Sequence, residues 1–276
     1  MSLQRRVALV TGAAQGMGKA IAIRLAKDGL NVGVSDIPAK RSALEEVAKS
    51  IESNGGNAVV LPGDVSKEED VSAMVDGTAA ALGGLHVMVA NAGVGPGCPF
   101  LEETVEGFNK TMAINGLSVF LCFKYAAKKI IEQGHGEGRL IAASSLAGKM
   151  AYPGFTGYNA SKFAMRGVVQ TAAIELGPHG ITANAYAPGT IDTPLTRTPE
   201  VSDRVDLNAI AATLPMRRVG QPGDIAALVS YLASVDSGYV TGSCQISSLN
   251  LIKLTALSLE LPSGQTITID GGWRVD

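Results

Sequence analysis

A tyrosine and a lysine four residues apart are the clearest candidates for acid–base chemistry in this chain. Tyr158 and Lys162 are one helical turn apart, so both side chains lie on the same face of a helix. A phenol is too weak an acid to work well near neutral pH, but an adjacent ammonium group favours the phenolate and lowers its pKa. Ser145 adds a hydroxyl that can orient a carbonyl group. Together the three side chains predict proton transfer at the oxygen of a carbonyl or an alcohol.

A glycine-rich segment near the N-terminus predicts a dinucleotide site. Residues 11–18 read Thr-Gly-Ala-Ala-Gln-Gly-Met-Gly, which also fits a plain tight turn. Glycines between a strand and a helix let the backbone approach a pyrophosphate at the positive end of the helix. Asp36 lies 24 residues after Gly12, near where a carboxylate accepts hydrogen bonds from the adenosine ribose. Because that carboxylate would repel a 2′-phosphate, the pattern favours NAD(H) over NADP(H).

Strand and helix patterns alternate along the chain and must position these residues. The predicted strands are residues 7–10, 31–35, 58–61, 86–90, 139–143, 182–187 and 265–270. The predicted helices include residues 18–27, 39–53, 157–176 and 224–233. Such alternation predicts βαβ units, and therefore a parallel sheet covered on both faces. We expect an α/β chain with a Rossmann-type doubly wound sheet, forming one domain over residues 1–276.

Composition excludes several other classes of function. The formal net charge of −2 leaves no positive field to hold nucleic acid or an anionic membrane. No apolar run is long enough for a membrane span, and the N-terminus has no signal-peptide pattern. The three cysteines lie far apart, and the three histidines lack the spacing of metal ligands. We expect a cytoplasmic protein with no disulfide framework and no metal.

In order and spacing, these residues resemble the short-chain dehydrogenase/reductases over nearly the whole chain. The matching positions are Thr11–Gly18, Asp36, Asp64 and Val65, Asn91 to Gly93, Asn115, Ser145, Tyr158, Lys162, Pro188 and Gly189, and Thr193. Ser145 is preferred to Ser144 because the family's serine usually lies 13 residues before the tyrosine. The resemblance implies an NAD-dependent enzyme that acts as a homotetramer or dimer.

The resemblance also implies roles for individual residues. The expected catalytic residues are Asn115, Ser145, Tyr158 and Lys162, with Tyr158 as general acid or base and Asn115 holding a water in a proton relay. The expected cofactor contacts are Gly12, Gln15, Gly16, Met17, Gly18, Asp36, Asp64, Val65, Asn91, Gly93, Tyr158, Lys162, Pro188, Gly189, Ile191 and Thr193. Asn91 and Asn115 also fit purely structural roles, at a strand–loop junction and at a helix kink.

The substrate is predicted less sharply than the reaction. Candidate pocket walls are Val94, Leu146, Tyr152, Phe155, Tyr186 and Leu195, which are mostly apolar and carry no charge. They suggest a small neutral ketone or secondary alcohol. Residues 91–100, 132–141 and 161–176 are most similar to acetoin/diacetyl reductases, also called 2,3-butanediol dehydrogenases. Sugar-alcohol dehydrogenases and 3-oxoacyl carrier-protein reductases are the alternatives.

Residues 243–264 depart from the family pattern. In the family, Tyr-Val-Thr-Gly typically leads directly into the last strand, whereas here 22 residues intervene. Their alternating leucines predict a β-hairpin at the sheet edge. Their 66 nucleotides also have the length of a small intron, and residues at both ends are compatible with splice signals, so a retained intron is an alternative. A further alternative is a dinucleotide-binding chain whose catalysis or assembly is impaired by this insertion.

Overall fold

All strands in the computed structural model run parallel and belong to one sheet. The structure describes residues 5–202, 206–245 and 267–269. The strands in this part of the chain are β1 Val7–Thr11, β2 Asn31–Ser35, β3 Ala58–Val60, β4 Val87–Ala90, β5 Gly138–Ala143, β6 Ile181–Pro188, β7 Cys244–Gln245 and β8 Ile267–Ile269. Their order is β3-β2-β1-β4-β5-β6-β7, and β8 also pairs with β6. The order reverses between β1 and β4, which opens a crevice at the carboxyl ends of the strands.

Helices cover both faces of the sheet. The described helices are α1 Gly16–Lys27, α2 Arg41–Glu52, α3 Glu68–Leu82, α4 Val105–Met112, α5 Ser118–Gln133, α6 Thr156–Leu176, α7 Pro199–Ser202, α8 Leu207–Thr213 and α9 Pro222–Ala233. Buried side chains of α1, α2 and α9 form one core layer, and those of α3, α5 and α6 form the other. Helices joining parallel strands must cross over a face of the sheet, which is why both faces are buried.

Strand β1 shows how one strand serves both layers. Its side chains alternate between the faces, so Val10 packs with α1, α2 and α9 while Leu9 packs with α3, α5 and α6. Every residue of the strand is therefore buried. This explains why the central strands are continuous apolar runs rather than alternating patterns.

The predicted fold class is confirmed, with small differences at element ends. Strand β2 spans the predicted residues. Helix α1 begins at Gly16, two residues before the predicted start, so it takes up part of the glycine-rich segment. A short 3₁₀ turn, Pro38–Lys40, precedes α2 where a single helix was predicted. None of the helices among the described residues has both the length and the apolar character needed to cross a membrane.

The edge of the sheet beside β6 is built from two separate pieces of chain. Ala185 pairs with Cys244 of β7, and the next residue, Tyr186, pairs with Ile267 of β8. Consecutive residues of β6 thus pair with residues 23 positions apart in sequence, so 22 residues of chain separate the two partners, Cys244 and Ile267. That number equals the length of residues 243–264, the segment that departs from the family pattern. The hairpin predicted within that segment lies outside the described residues.

Hydrogen bonds fix the chain to β6 before this departure. The Gly242 N–H donates to the Ala183 carbonyl, and the Ala185 N–H donates to the Ser243 carbonyl, at 2.9 and 2.8 Å. The buried Asn184 side chain donates to the Val240 carbonyl and accepts from the Ser243 N–H. Ser243 and Cys244 therefore occupy the edge positions that Gln265 and Thr266 would fill in an uninterrupted strand.

We predict that deleting residues 243–264 stabilises the protein. The deletion joins Gly242 to Gln265 and keeps the register of Ile267–Ile269 on β6. Removing a closed loop of this length recovers roughly 1–3 kcal/mol of chain entropy, so the urea midpoint should rise with an unchanged slope. A lower midpoint would show that the segment makes stabilising contacts of its own.

A deletion shorter by one residue is the matched control. Removing residues 243–263 leaves one extra residue and shifts the last strand by one position. A one-residue slip turns every side chain of a strand to the opposite face. This control should therefore lower the urea midpoint relative to the longer deletion.

Candidate active site

The turn between β1 and α1 is shaped by its glycines. Gly12 and Gly16 have φ angles of 64° and 55°, in the left-handed region that favours glycine. A Cβ atom at Gly18 would lie 2.1 Å from the Gly12 carbonyl oxygen, so only glycine fits there. The Ala13 N–H donates to the Ser35 carbonyl at 2.8 Å and ties the turn to β2. The glycines of this turn and the start of α1 line the crevice, where the backbone N–H groups of a helix N-terminus suit a phosphate group.

Asp36 lies just beyond the end of β2, at one end of the crevice. Its carboxylate accepts hydrogen bonds from the backbone N–H groups of Ala14 and Ile37, at 3.2 and 2.9 Å. Nearby, the Lys40 ammonium donates to the side-chain oxygen of Gln15. The carboxylate is thus held in a fixed orientation next to the glycine turn.

Asp64 follows β3 and lies on the same crevice. Its carboxylate accepts hydrogen bonds from the N–H and the hydroxyl of Ser66, at 3.0 and 2.7 Å. Burial raises the pKa of the Asp64 carboxyl, but the two hydrogen bonds from Ser66 and the positive charge of Lys67 together outweigh it and hold the pKa below its usual value. Asp64 is therefore an ionised acceptor at neutral pH.

Asn91 ties three strands together at the end of β4. Its amide nitrogen donates to the carbonyls of Thr11 and Gly12, at 2.9 and 3.3 Å. Its amide oxygen accepts from the hydroxyl of Tyr186, at 2.8 Å. Asn91 lines the crevice, but its polar atoms serve the strand ends, as its structural interpretation predicts.

Asn115 lies in a π-helical turn, Ala113–Leu117, between α4 and α5. Its amide oxygen accepts from the Val94 N–H, and its amide nitrogen donates to the Val94 carbonyl, at 2.9 and 2.8 Å. The same nitrogen lies 3.1 Å from the Ser161 hydroxyl on α6. The extra residue of the π turn aims Asn115 inward, where it fastens the loop after β4 to α6.

Tyr158 and Lys162 extend from the first turns of α6 into the crevice. The Lys162 ammonium is buried, donates to the Ala143 carbonyl at 2.7 Å, and lies 5.5 Å from the centre of the Tyr158 ring. Burial raises the pKa of the Tyr158 phenol, and a hydrogen bond with Ser145 partly offsets the rise. The predicted helical spacing thus places the ammonium near the ring. The pKa of the phenol is nevertheless raised rather than lowered, because the effect of burial is the largest.

Ser145 and Ser144 line different cavities, and Tyr158 borders both. Ser145 lines a cavity together with Tyr158, and its hydroxyl oxygen accepts from the Ala147 N–H at 3.1 Å. The Ser144 hydroxyl is buried next to Gly148 and has no hydrogen-bond partner in the described part of the chain. Ser145 therefore stays the predicted catalytic serine.

Two cavities meet at Tyr158. The first, which we call the dinucleotide cleft, has a volume of about 470 Å³ and runs from Asp36 past the glycine turn to Lys162. The second, which we call the apolar cavity, has a volume of about 370 Å³ and continues from Ser145 towards α8. Tyr158 and Leu195 line both. The phenol therefore lies between the dinucleotide cleft and the apolar cavity.

Most residues expected to contact a cofactor line the dinucleotide cleft. They are Gly12, Gln15, Gly16, Met17, Gly18, Asp36, Asp64, Val65, Asn91, Gly93, Tyr158, Lys162 and Thr193. Pro188 and Gly189 instead line the apolar cavity, and Ile191 is buried in the core against the α9 layer. The cleft is also lined by Lys40 and Lys110, which the motif comparison did not identify as contacts because neither belongs to a motif.

Four of the six candidate pocket walls line the apolar cavity: Leu146, Tyr152, Phe155 and Leu195. Val94 lines the dinucleotide cleft instead. Tyr186 is fully buried, and its hydroxyl is used by Asn91. A tyrosine near the end of a strand can point to either face, and the sequence did not indicate which.

Comparisons with known proteins agree with this architecture. Residues 12–247 match the family model described as enoyl-(acyl carrier protein) reductase. A short-chain dehydrogenase/reductase of Hericium erinaceus, eriH, is 45% identical over 268 residues and covers 96% of each chain. The protein belongs to the short-chain dehydrogenase/reductase family.

Other relatives have more specific names. A diacetyl reductase, (S)-acetoin forming, of Staphylococcus epidermidis is 37% identical and covers 90% of this chain and 98% of its own. The crystal structure of acetoin dehydrogenase YohF from Salmonella typhimurium matches with a TM-score of 0.80 at 28% identity, covering 98% of this chain and 96% of that one. This short-chain dehydrogenase/reductase is therefore an oxidoreductase, from a family that binds NAD or NADP.

We predict that Gly18→Ala damages the dinucleotide cleft. The new methyl group would overlap the Gly12 carbonyl and push the turn outwards. NADH should stabilise the variant against heat far less than it stabilises the wild type, and the free energy of unfolding should fall by about 1–3 kcal/mol.

Gly167→Ala is the matched control. Gly167 lies within α6, and apart from the helix's own backbone and the two adjacent residues, no heavy atom of the described part of the chain lies within 4 Å of the position that the alanine methyl group would take. Alanine should stabilise the helix by about 0.5–1 kcal/mol and leave the response to NADH unchanged. Equal NADH responses of the two variants would contradict the proposed close approach at Gly18.

Proposed function

We propose that this protein is an NAD(H)-dependent oxidoreductase that interconverts a small neutral ketone or diketone and a secondary alcohol. The position of Tyr158, shared between the dinucleotide cleft and the apolar cavity, carries this proposal. A group that exchanges a proton with a substrate oxygen must face both the substrate and the cofactor. Tyr158 meets that requirement.

The dinucleotide cleft fits a nicotinamide dinucleotide. The glycine cradle at Gly12 and Gly18 leaves room for a pyrophosphate at the start of α1, and Asp36 lies where an adenosine ribose would be. When bound, the nicotinamide ring supplies or accepts a hydride. Orientation, charge and proton transfer are supplied by the protein.

Three side chains around the substrate oxygen perform the proton transfer. In carbonyl reduction the Tyr158 hydroxyl donates its proton to that oxygen, and in alcohol oxidation the phenolate accepts it. Ser145 donates a hydrogen bond that orients the same oxygen. The Lys162 ammonium lies 5.5 Å from the centre of the ring, where a positive charge favours the phenolate. Burial raises the pKa of Tyr158, and the hydrogen bond with Ser145 lowers it in part. Asn115 holds the loop of Val94 and α6 in place around them.

The electrostatics at Asp36 favour NAD(H). Two backbone N–H groups hold the carboxylate in place, so it remains where a ribose 2′-hydroxyl would donate to it and a 2′-phosphate would be repelled. Lys40 provides a positive charge at the same end of the cleft, but its ammonium is directed to Gln15. The expected preference for NAD(H) argues against a 3-oxoacyl reductase, because such enzymes usually prefer NADPH.

The apolar cavity favours a neutral, weakly polar substrate. Among the described residues that line it, none carries a charge. A sugar alcohol would bury several hydroxyls against a mostly apolar lining, and each one left without a partner would cost roughly 1–3 kcal/mol. The names of the diacetyl reductase and acetoin dehydrogenase relatives favour a small ketone or diketone.

An active enzyme is favoured over a chain impaired by its insertion. Ser145, Tyr158 and Lys162 come together in the full-length chain, and β8 returns to its register on β6 after the insertion. The three proposed catalytic side chains and the last strand are thus in place in a chain that carries the insertion.

We predict that Tyr158→Phe abolishes turnover without loss of cofactor binding. Removing a general acid costs about 10²–10⁴-fold in rate, so kcat for diacetyl with NADH should fall by that factor. Because burial raises the pKa of Tyr158, wild-type alcohol oxidation should accelerate as pH rises towards that pKa, and reduction should slow above it. Rates are followed by absorbance at 340 nm.

Tyr125→Phe is the control for this substitution. The Tyr125 hydroxyl donates to Glu68 on the surface at 2.8 Å, away from both cavities. This variant should retain wild-type kcat and pH dependence. Wild-type kcat in Tyr158→Phe would contradict the proposed mechanism.

We predict that Asp36→Ser weakens the preference for NADH. Wild-type kcat/KM should be at least tenfold higher with NADH than with NADPH, and the substitution should reduce that ratio at least tenfold. Lys40→Met in the Asp36→Ser background should reverse the gain with NADPH, because Lys40 is the nearby positive charge. Asp76→Ser, which breaks a surface ion pair with Lys129, should leave the ratio unchanged.

A further inference from the structure

Asn159 follows Tyr158 directly on α6, and its side-chain amide reaches back to the chain that precedes the helix. The amide nitrogen donates to the Tyr152 carbonyl at 2.9 Å, and the amide oxygen accepts from the Tyr152 N–H at 3.3 Å. One planar amide therefore binds both backbone groups of a single residue. Two such bonds fix the orientation of the Tyr152 backbone as well as its distance from α6.

The chain that Asn159 holds is a wall of the apolar cavity. Tyr152, Pro153 and Phe155 all line that cavity. We call residues 152–155 the wall segment. It precedes α6 and belongs to no helix or extended strand of the described chain. Because regular secondary structure does not hold the wall segment, its position depends on hydrogen bonds to its neighbours.

The two ends of the wall segment are held by different parts of the chain. At its far end the Gly154 carbonyl accepts from the Cys98 N–H at 2.8 Å, and Phe155 forms a single β-bridge with Cys98. These contacts tie that end to the loop after β4. The Tyr152 end is held to α6 through the Asn159 amide.

The wall segment also adjoins the phenol. The Phe155 ring meets the Tyr158 ring edge-on, with 6.4 Å between the ring centres and 66° between the planes. Since Asn159 is the next residue after Tyr158, one helical turn carries both the phenol and the group that holds the wall. The spacing between the phenol and Tyr152 is therefore set within α6.

We propose that Asn159 is a positioning residue for the substrate, acting through Tyr152. This inference rests on the proposed function, because the phenol of Tyr158 acts on the reacting oxygen. Asn159 itself is absent from the described residues that line either cavity. The wall segment likewise contributes nothing to the described lining of the dinucleotide cleft. Loss of the Asn159 amide should therefore weaken the hold on the substrate and spare the hold on the cofactor.

Asn159→Ala tests this separation in the full-length protein. The substitution removes both hydrogen bonds to Tyr152, and alanine favours the helix, so the variant should fold. A wall that must be ordered on binding costs affinity, so KM for diacetyl should rise about tenfold. The Kd for NADH, measured from the fluorescence of the bound cofactor, should stay within about twofold of wild type. The pH dependence of kcat should be unchanged, because Tyr158 and Lys162 are intact.

Asn54→Ala is the matched control. The Asn54 amide nitrogen donates to the Ser50 carbonyl at 2.7 Å, at the end of α2 and outside the described lining of both cavities. This variant loses a hydrogen bond of the same kind from an asparagine to the backbone. It should keep the wild-type KM for diacetyl and the wild-type Kd for NADH.

A double-mutant cycle tests whether Asn159 acts through Tyr152. Tyr152→Ala removes the side chain from the wall but keeps the backbone groups that bind Asn159. In that background Asn159→Ala should change kcat/KM for diacetyl by less than about twofold, because the side chain that it positions is gone. An equal effect in both backgrounds would assign Asn159 a different role and overturn the inference.

The remaining outcomes separate this inference from the proposed function. Wild-type turnover of diacetyl with an unchanged KM in Asn159→Ala overturns the inference and leaves the proposed function standing. A rise in the Kd for NADH as large as the rise in KM would indicate general loosening of α6 and would also overturn it. Absence of wild-type turnover of diacetyl with both NADH and NADPH overturns the proposed function, and this inference with it.

Discussion

The parallel pairing of the strands is the constraint on which this structure depends. Because the strands run in one direction, the loops that follow them all emerge at one edge of the sheet. The glycine turn after β1, Asp36 after β2, Asp64 after β3 and Asn91 after β4 are far apart in sequence yet line the same cleft. Reversal of the strand order between β1 and β4 separates the helices there and leaves the cleft open.

Buried polar side chains then fix the spacing of these loops. Asn91 connects the ends of β1, β4 and β6, and Asn115 connects the loop after β4 to α6. The Lys162 ammonium connects α6 to the end of β5. Each of these groups would be costly to bury unpaired, so their hydrogen bonds specify one arrangement of the strands and α6. This network fixes α6 in place, and with it the phenol of Tyr158, the proposed general acid or base.

The edge beside β6 shows how such a sheet can accept an insertion. The ladder requires a strand partner in register, but it does not require that partner to be one continuous piece of chain. Ser243 and Cys244 provide the first positions, and the chain resumes at Ile267 in the same register. Backbone hydrogen bonds are indifferent to side-chain identity, which is why these two residues can stand where a glutamine and a threonine would otherwise lie.

The sequence alone determined the features that depend on local spacing. The alternation of strands and helices, the glycine turn with Asp36 and the one-turn separation of Tyr158 and Lys162 are all short-range patterns, and the structure has them close to their predicted positions. Tertiary structure decided the features that depend on contacts between distant segments. Tyr186 faces the core, Ile191 packs against the α9 layer, and Lys110 reaches the cleft. It also decided the size of the apolar cavity, because its walls come from several separate stretches of chain. A cavity is the space left between packed elements, and no single stretch of sequence encodes that space.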